Sequence, residues 1–193
     1  MSDRRTVAVV GLGNPGREYE QTRHNVGFRV GTALAGKMRD ARHSSGSTFL
    51  STEGSIGECE LLVVWPLTFM NNSGYAVAEA CARYGLAPDR TLIVSDDIAL
   101  PLGTIRVRSK GTHGGHNGLR SVIAMLETTG FPRIRCGIRG DAYSNAEGLA
   151  DYVLSPFEEP ELAVVEDMIE RAANAAVSVA TGGIEETMNQ FNT

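Results

Sequence analysis

Cysteine, aromatic residues and long apolar runs are all scarce in this 193-residue chain. Three cysteines, Cys59, Cys81 and Cys136, are odd in number and lack metal-type spacing. They exclude a disulfide scaffold and point to reduced thiols in a cytoplasmic setting. No apolar run exceeds five residues, as at 61–65, far short of the roughly 18 that a bilayer span needs, so no membrane role is expected. The opening MSDRRTVAVV sets two arginines before an apolar stretch too short for a signal-peptide core. Positive charge is also in deficit. Against 23 Asp+Glu stand 18 Lys+Arg, a net −5 that taken whole argues against a nucleic-acid partner. What is present, 42% hydrophobic and 21% charged residues, is ordinary globular composition. The length suits one domain spanning residues 1–193.

The net charge conceals a segregation. Residues 1–103 carry 10 basic and 11 acidic side chains. Residues 104–140 carry 7 basic side chains against Glu127 alone, and residues 141–193 carry Arg171 against 11 acids. Either this is an ordinary solvated surface, or a local polyanion site lies beside an acidic terminal segment.

Apolar patterning predicts alternating strands and helices. Residues 6–12 (TVAVVGL) and 91–94 (TLIV) read as buried strands. Residues 48–53 and 60–65 read as a hairpin across Gly54 and Gly57, 104–108 as an exposed strand, and 134–138 as a further strand. Helical spacing covers residues 25–38, 73–84 (closing at Gly85), 119–126 and 158–179. The expected fold class is therefore α/β, with a twisted mixed sheet and helices on both faces.

Two glycine-rich loops draw attention. The first, Gly11-Leu12-Gly13-Asn14-Pro15-Gly16, satisfies the dinucleotide fingerprint after a strand. No apolar helical face follows it, and the next strand-end acid, Glu53, lies 37 residues past Gly16. Pro15 lacks an amide hydrogen. The second, residues 111–118, holds His113, His116 and Asn117 before a helix. It suits an anionic or carbonyl-bearing ligand, or a plain helix entry. With His24 its histidines could form a zinc set, although no acidic ligand is close in sequence.

Other polar residues gather at strand ends, where open α/β sheets bind ligands. His24 is the candidate base, with Asp96 as the carboxylate that would orient it. His24 could equally cap a helix, and Asp96 serve in a turn. Asn14, Asn71 and Asn117 offer donor and acceptor in one plane, as recognition of a peptide backbone or an oxyanion requires. No Ser or Cys stands in a nucleophile-elbow context, so activated water is the expected attacker.

Four stretches resemble one known family: VVGLGNPGREYEQTRHNVGF (9–28), PLTFMNNSG (66–74), VSDDIALPLG (94–103) and GTHGGHNGLRSVI (111–123). FPRIRCGIRG and DYVLSPF with the terminal helix continue the match, so the chain resembles bacterial-type peptidyl-tRNA hydrolase over nearly its whole length. The resemblance implies a single-domain α/β globule that hydrolyses the ester between peptide and tRNA, without metal or cofactor. It implies His24 as base, Asp96 as the residue stabilising it, and Asn14 as the catalytic-site residue that tells blocked from free aminoacyl esters. Tyr19, Phe69, Asn71 and Asn117 would contact the peptidyl and 3′-terminal groups. Arg106, Arg108 and Arg135 would grip tRNA phosphates. The implied partner is peptidyl-tRNA, through its 3′ CCA end and acceptor region, bound by a cytoplasmic monomer. Asp97, Ala99 and Asn72 depart from common family residues beside the site. The rival readings are a non-catalytic RNA-binding relative of the same fold and, third, a dinucleotide enzyme. The absence of an acid-poor, Ser/Arg-rich extension before the first strand favours the compact bacterial type.

Overall fold

The computed structural model describes residues 6–141, 143 and 148–192. Its centre is β1 (Val7–Gly11), an all-apolar strand buried on both faces. Such a strand needs covering on each side, and its alternate side chains show how this is done. Val9 joins one apolar cluster and Ala8 and Val10 another.

The chain leaves β1 through α1 (Val26–Ala35), then forms the antiparallel strands β2 (Arg39–Ser45), β3 (Phe49–Ile56) and β4 (Cys59–Pro66). β4 lies parallel to β1. From there α2 (Ser73–Tyr84) crosses the opposite face to β5 (Thr91–Pro101), parallel to β1 on its other side. β6 (Ile105–Arg108), α3 (Asn117–Leu126) and β7 (Arg133–Arg139) complete the sheet, β7 lying between β5 and β6. A short α4 (Leu149–Val153), the long α5 (Leu162–Gly182) and α6 (Ile184–Phe191) follow. Among the described residues the seven strands form one mixed sheet, ordered β2-β3-β4-β1-β5-β7-β6. Val26, Val30 and Leu34 of α1 pack with α5 on one face; Ala76 and Val77 of α2 pack with Leu119 and Val122 of α3 on the other. This is the expected α/β layering. No described helix is long and apolar enough to cross a membrane.

The connection after β1 runs through α1 on one face to the β2 edge, and the crossover from β4 runs through α2 on the other face to β5, so a crevice opens beyond the carboxyl end of β1. The loop there is not a dinucleotide turn. It continues into short 3-10 turns, Arg17–Tyr19 and Arg23–Asn25, and two of its amides are already engaged. Leu12 N–H donates to Val94 C=O, and Asn14 N–H to the Asn25 side chain.

Several boundaries differ from those expected. The first helix starts at Val26 and stops at Ala35, because residues 39–45 leave it to form β2. β5 runs to Pro101, which places Asp96 and Asp97 inside the strand rather than after it. The long terminal helix, expected over 158–179, runs from Leu162 to Gly182, and an unexpected α6 follows Gly183, whose φ of 87° no helix interior accepts.

α1 approaches β1 so closely that only glycine fits at the contact. A Cβ on Gly27 would stand 2.5 Å from Leu12 O and 2.6 Å from Val94 O. Gly36, at the other end of the same helix, has right-handed φ and nothing nearer than 3.5 Å. Gly27→Ala should therefore cost about 1–3 kcal/mol in urea unfolding, from overpacking. Gly36→Ala should be neutral or stabilising, by up to about 1 kcal/mol. Equal effects would contradict this packing.

Candidate active site

Backbone constraints build the site before any side chain acts. The turn carrying His24 is pinned from behind by its neighbour Arg23, buried to 3% exposure. The Arg23 guanidinium grips Glu161 with both ends (3.1 and 2.7 Å) and lies over the Tyr152 and Phe157 rings. Its backbone N–H donates to Ser155 C=O. A bidentate pair with this much packing fixes direction as well as position.

His24 consequently faces Asp96 of β5. Its Nδ1 stands 2.7 Å from Asp96 Oδ1, and His116 Nε2 stands 2.9 Å from the same oxygen. The two imidazole centroids are 5.1 Å apart. The tautomers follow from the partners. His116 caps α3, its Nδ1 accepting from Leu119 N–H at 3.2 Å, so its hydrogen is on Nε2 and donates to Asp96. His24 likewise presents Nδ1–H to the carboxylate. Its Nε2 keeps a lone pair at the cleft wall, with no partner among the described residues.

Charge follows geometry. Burial works against the Asp96 carboxylate, yet His116 and His24 together hold it well below the usual carboxylate range. Burial also works against a charged His24, but the attraction and hydrogen bond of Asp96 outweigh it and raise the imidazole above its ordinary 6.5. These three groups are near enough to ligate one ion. To do so, His116 would surrender its Nε2 hydrogen and turn an Nδ1–H against Leu119 N–H. The donor set therefore fits a hydrogen-bonded triad better than a metal centre. His113 stays outside it, its Nδ1 accepting from Gly115 N–H.

Asn14 is fixed three ways. Its backbone N–H donates to Asn25 Oδ1 (2.8 Å), its C=O accepts from Asn25 Nδ2 (2.9 Å), and its Oδ1 accepts from Met70 N–H (2.7 Å). A backbone amide only donates, so the orientation of the Asn14 carboxamide is settled. Nδ2 is left as a donor.

These residues line a cleft of about 930 Å³, together with Phe69, Asn71 and Asn117. Tyr19 packs edge-to-face on Phe69, the centroids 6.2 Å apart. Arg108, Lys110, Arg133 and Arg135 form a basic wall. Arg135 is ion-paired to Asp97, whose Oδ1 also takes Ala99 N–H. Arg106 is outside the cleft lining, on β6 opposite Arg135. Sequence reasoning did not single out Arg23, nor His116 as the second partner of Asp96. Adjacency to His24 and a cap position before α3 were the available signals.

The family model for peptidyl-tRNA hydrolase matches residues 8–193. The chain belongs to the peptidyl-tRNA hydrolase family. The peptidyl-tRNA hydrolase of Persephonella marina is 43% identical over 188 residues, covering 96% of each chain. That of Agathobacter rectalis is 45% identical, over 95% of this chain and 98% of its own. The crystal structure of the Acinetobacter baumannii peptidyl-tRNA hydrolase superposes with a TM-score of 0.88 at 32% identity, covering 98% of this chain and 96% of that one. The expected family and fold are thus those observed, and the dinucleotide reading falls away.

For a peptidyl-tRNA hydrolase with this triad, the titration of His24 is the direct test of who raises it. In the wild type the His24 ring should titrate above 6.5 when followed by NMR of its Cε1 proton. Asp96→Asn removes the charge and leaves the burial, so the midpoint should fall below 6.5. An unmoved midpoint would show that Asp96 does not govern the imidazole.

Proposed function

We propose that this chain hydrolyses the ester joining a peptide to the 3′-terminal ribose of tRNA, using water activated by His24. The observation that carries the reading is the free Nε2 of His24, fixed by Asp96 at the wall of a cleft that also presents the Asn14 donor and a basic face. Neutral His24 takes a proton from water at Nε2. The resulting hydroxide adds to the ester carbonyl carbon. Asn71 Nδ2, Asn14 Nδ2 or backbone amides at the cleft wall supply donors to the oxyanion. The intermediate collapses with cleavage of the carbon–oxygen bond to ribose, and the imidazolium returns its proton to the departing 3′ oxygen. His116 acts through Asp96, as a positioning residue.

Selectivity follows from the locked Asn14 carboxamide. A blocked α-nitrogen brings a carbonyl acceptor to Nδ2, whereas a free ammonium brings only donors. Asn117 and the Tyr19–Phe69 pair frame the 3′ end and the first peptide residue. Arg108, Arg135 and the more distant Arg106 attract phosphates. With Asp97 occupying Arg135, the grip is spread rather than concentrated. No cofactor is needed, and the protein acts as a monomer in the cytoplasm, a compartment in which thiols such as Cys59, Cys81 and Cys136 stay reduced.

A positioned base contributes roughly 10²–10⁴-fold. His24→Ala should therefore lower kcat on N-acetyl-aminoacyl-tRNA by about that factor, with KM nearly unchanged. Wild-type protein should leave free aminoacyl-tRNA largely intact, and Asn14→Ala should narrow that preference. Full turnover by His24→Ala would overturn the mechanism.

A further inference from the structure

Four arginines of β6 and β7 share one face of the sheet in register, Arg106 opposite Arg135 and Arg108 opposite Arg133. Like charges set directly across a strand pair repel, so such a ladder calls for an anion. The two acids that line the cleft are divided. Asp96 is taken by both histidines. Asp97 alone, among the described residues, is ion-paired to an arginine of the ladder, Arg135. We propose that Asp97 holds the place of a substrate phosphate on Arg135 and is displaced by it, which limits how tightly the tRNA body is held. This rests on the ester-hydrolase reading above.

The contact between the two is built to be exchanged. A carboxylate with both oxygens free grips a guanidinium at two points. Asp97 gives Arg135 one oxygen, at Nε, because Oδ1 accepts Ala99 N–H (2.8 Å) where the register of β5 on β7 shifts. The Arg135 side chain stays 30% exposed in the cleft wall, and its Nη groups have no acceptor among the described residues. Across the strand pair, Arg106 Nε is buried and likewise without an acceptor. A phosphate arriving here offers two oxygens to a fork that Asp97 fills with one. Asp97 keeps its bond to Ala99 when it lets go.

The phosphates of the tRNA body are common to substrate and product. Binding through them lowers KM without speeding the chemistry, and it slows departure of the deacylated tRNA by the same measure. A carboxylate that must first be displaced subtracts from this shared binding. Selection is then left to the groups around the ester.

Asp97→Asn keeps an acceptor for Ala99 N–H and removes the charge, so it isolates the competition. The variant should bind deacylated tRNA roughly fivefold tighter. Its log–log salt slope should steepen by about 1, the share of one added phosphate contact. KM for N-acetyl-aminoacyl-tRNA should fall by the same factor, and inhibition by deacylated tRNA should strengthen with it. In an Arg135→Gln background, Asp97→Asn should tighten nothing. Equal tightening in that background would show that loss of any nearby negative charge suffices, and overturns the proposal. So does an Asp97→Asn variant that binds tRNA no better than the wild type. If its melting temperature shows that it is not folded, Asp97→Ser replaces it. A wild type that binds tRNA but hydrolyses no blocked ester would instead overturn the hydrolase reading, with the tRNA titrations still deciding the role of Asp97.

Discussion

One oxygen organises this molecule. Asp96 Oδ1 accepts from His24, carried on the loop after β1, and from His116, at the start of α3. Two segments about 90 residues apart in sequence thereby meet on a third element, the buried strand β5. A buried carboxylate with two such donors is strongly held in its charged form. The cost of burying it is offset only while both imidazoles face it, so the geometry is all-or-none in character. Removing either donor leaves a buried charge partly satisfied. Much else in the fold serves this meeting. The glycine at position 27 lets α1 press on the end of β1 and on β5 at Val94, and Arg23 braces the His24 turn against the segment containing Tyr152, Phe157 and Glu161.

The acidic terminal segment has a structural role besides its charge. Glu161 answers Arg23, Glu166 answers Arg29, and Glu170 answers Lys37. Part of the −10 in residues 141–193 is thus spent on neutralising basic residues of the first 40, and the basic strands β6 and β7 face the cleft. Net charge describes neither region. A chain that reads as acidic overall presents a basic wall where a polyanion would arrive, which is the local property that binding requires.

The central architecture was legible in the residues because periodicity and burial agree there. β1 is apolar on both faces, α2 ends at a left-handed Gly85, and the β3–β4 hairpin turns at Gly57. β2 was not legible: RDARHSS is exposed along almost its whole length at the sheet edge, so no alternation marks it as a strand. Asp96 and Asp97 read as strand terminators, yet β5 continues through them, because Asp96 is satisfied by histidines that are remote in sequence. The same remoteness hid the second role of His116. His24, Asp96, Asn14, Asn71 and Asn117 could be named from strand-end position and resemblance. Their tautomers and amide orientation required the partners, Leu119 N–H and Met70 N–H, which only the fold supplies.

The central claim is that Asp96 receives an N–H from each histidine and so leaves Nε2 of His24 free to act on water. Long-range ¹H–¹⁵N correlation of the neutral imidazoles measures this directly. The predicted result is hydrogen on Nδ1 of His24 and on Nε2 of His116. Hydrogen on Nε2 of His24 in the resting protein would contradict the account, since the nitrogen facing the cleft would then be a donor and could not take a proton.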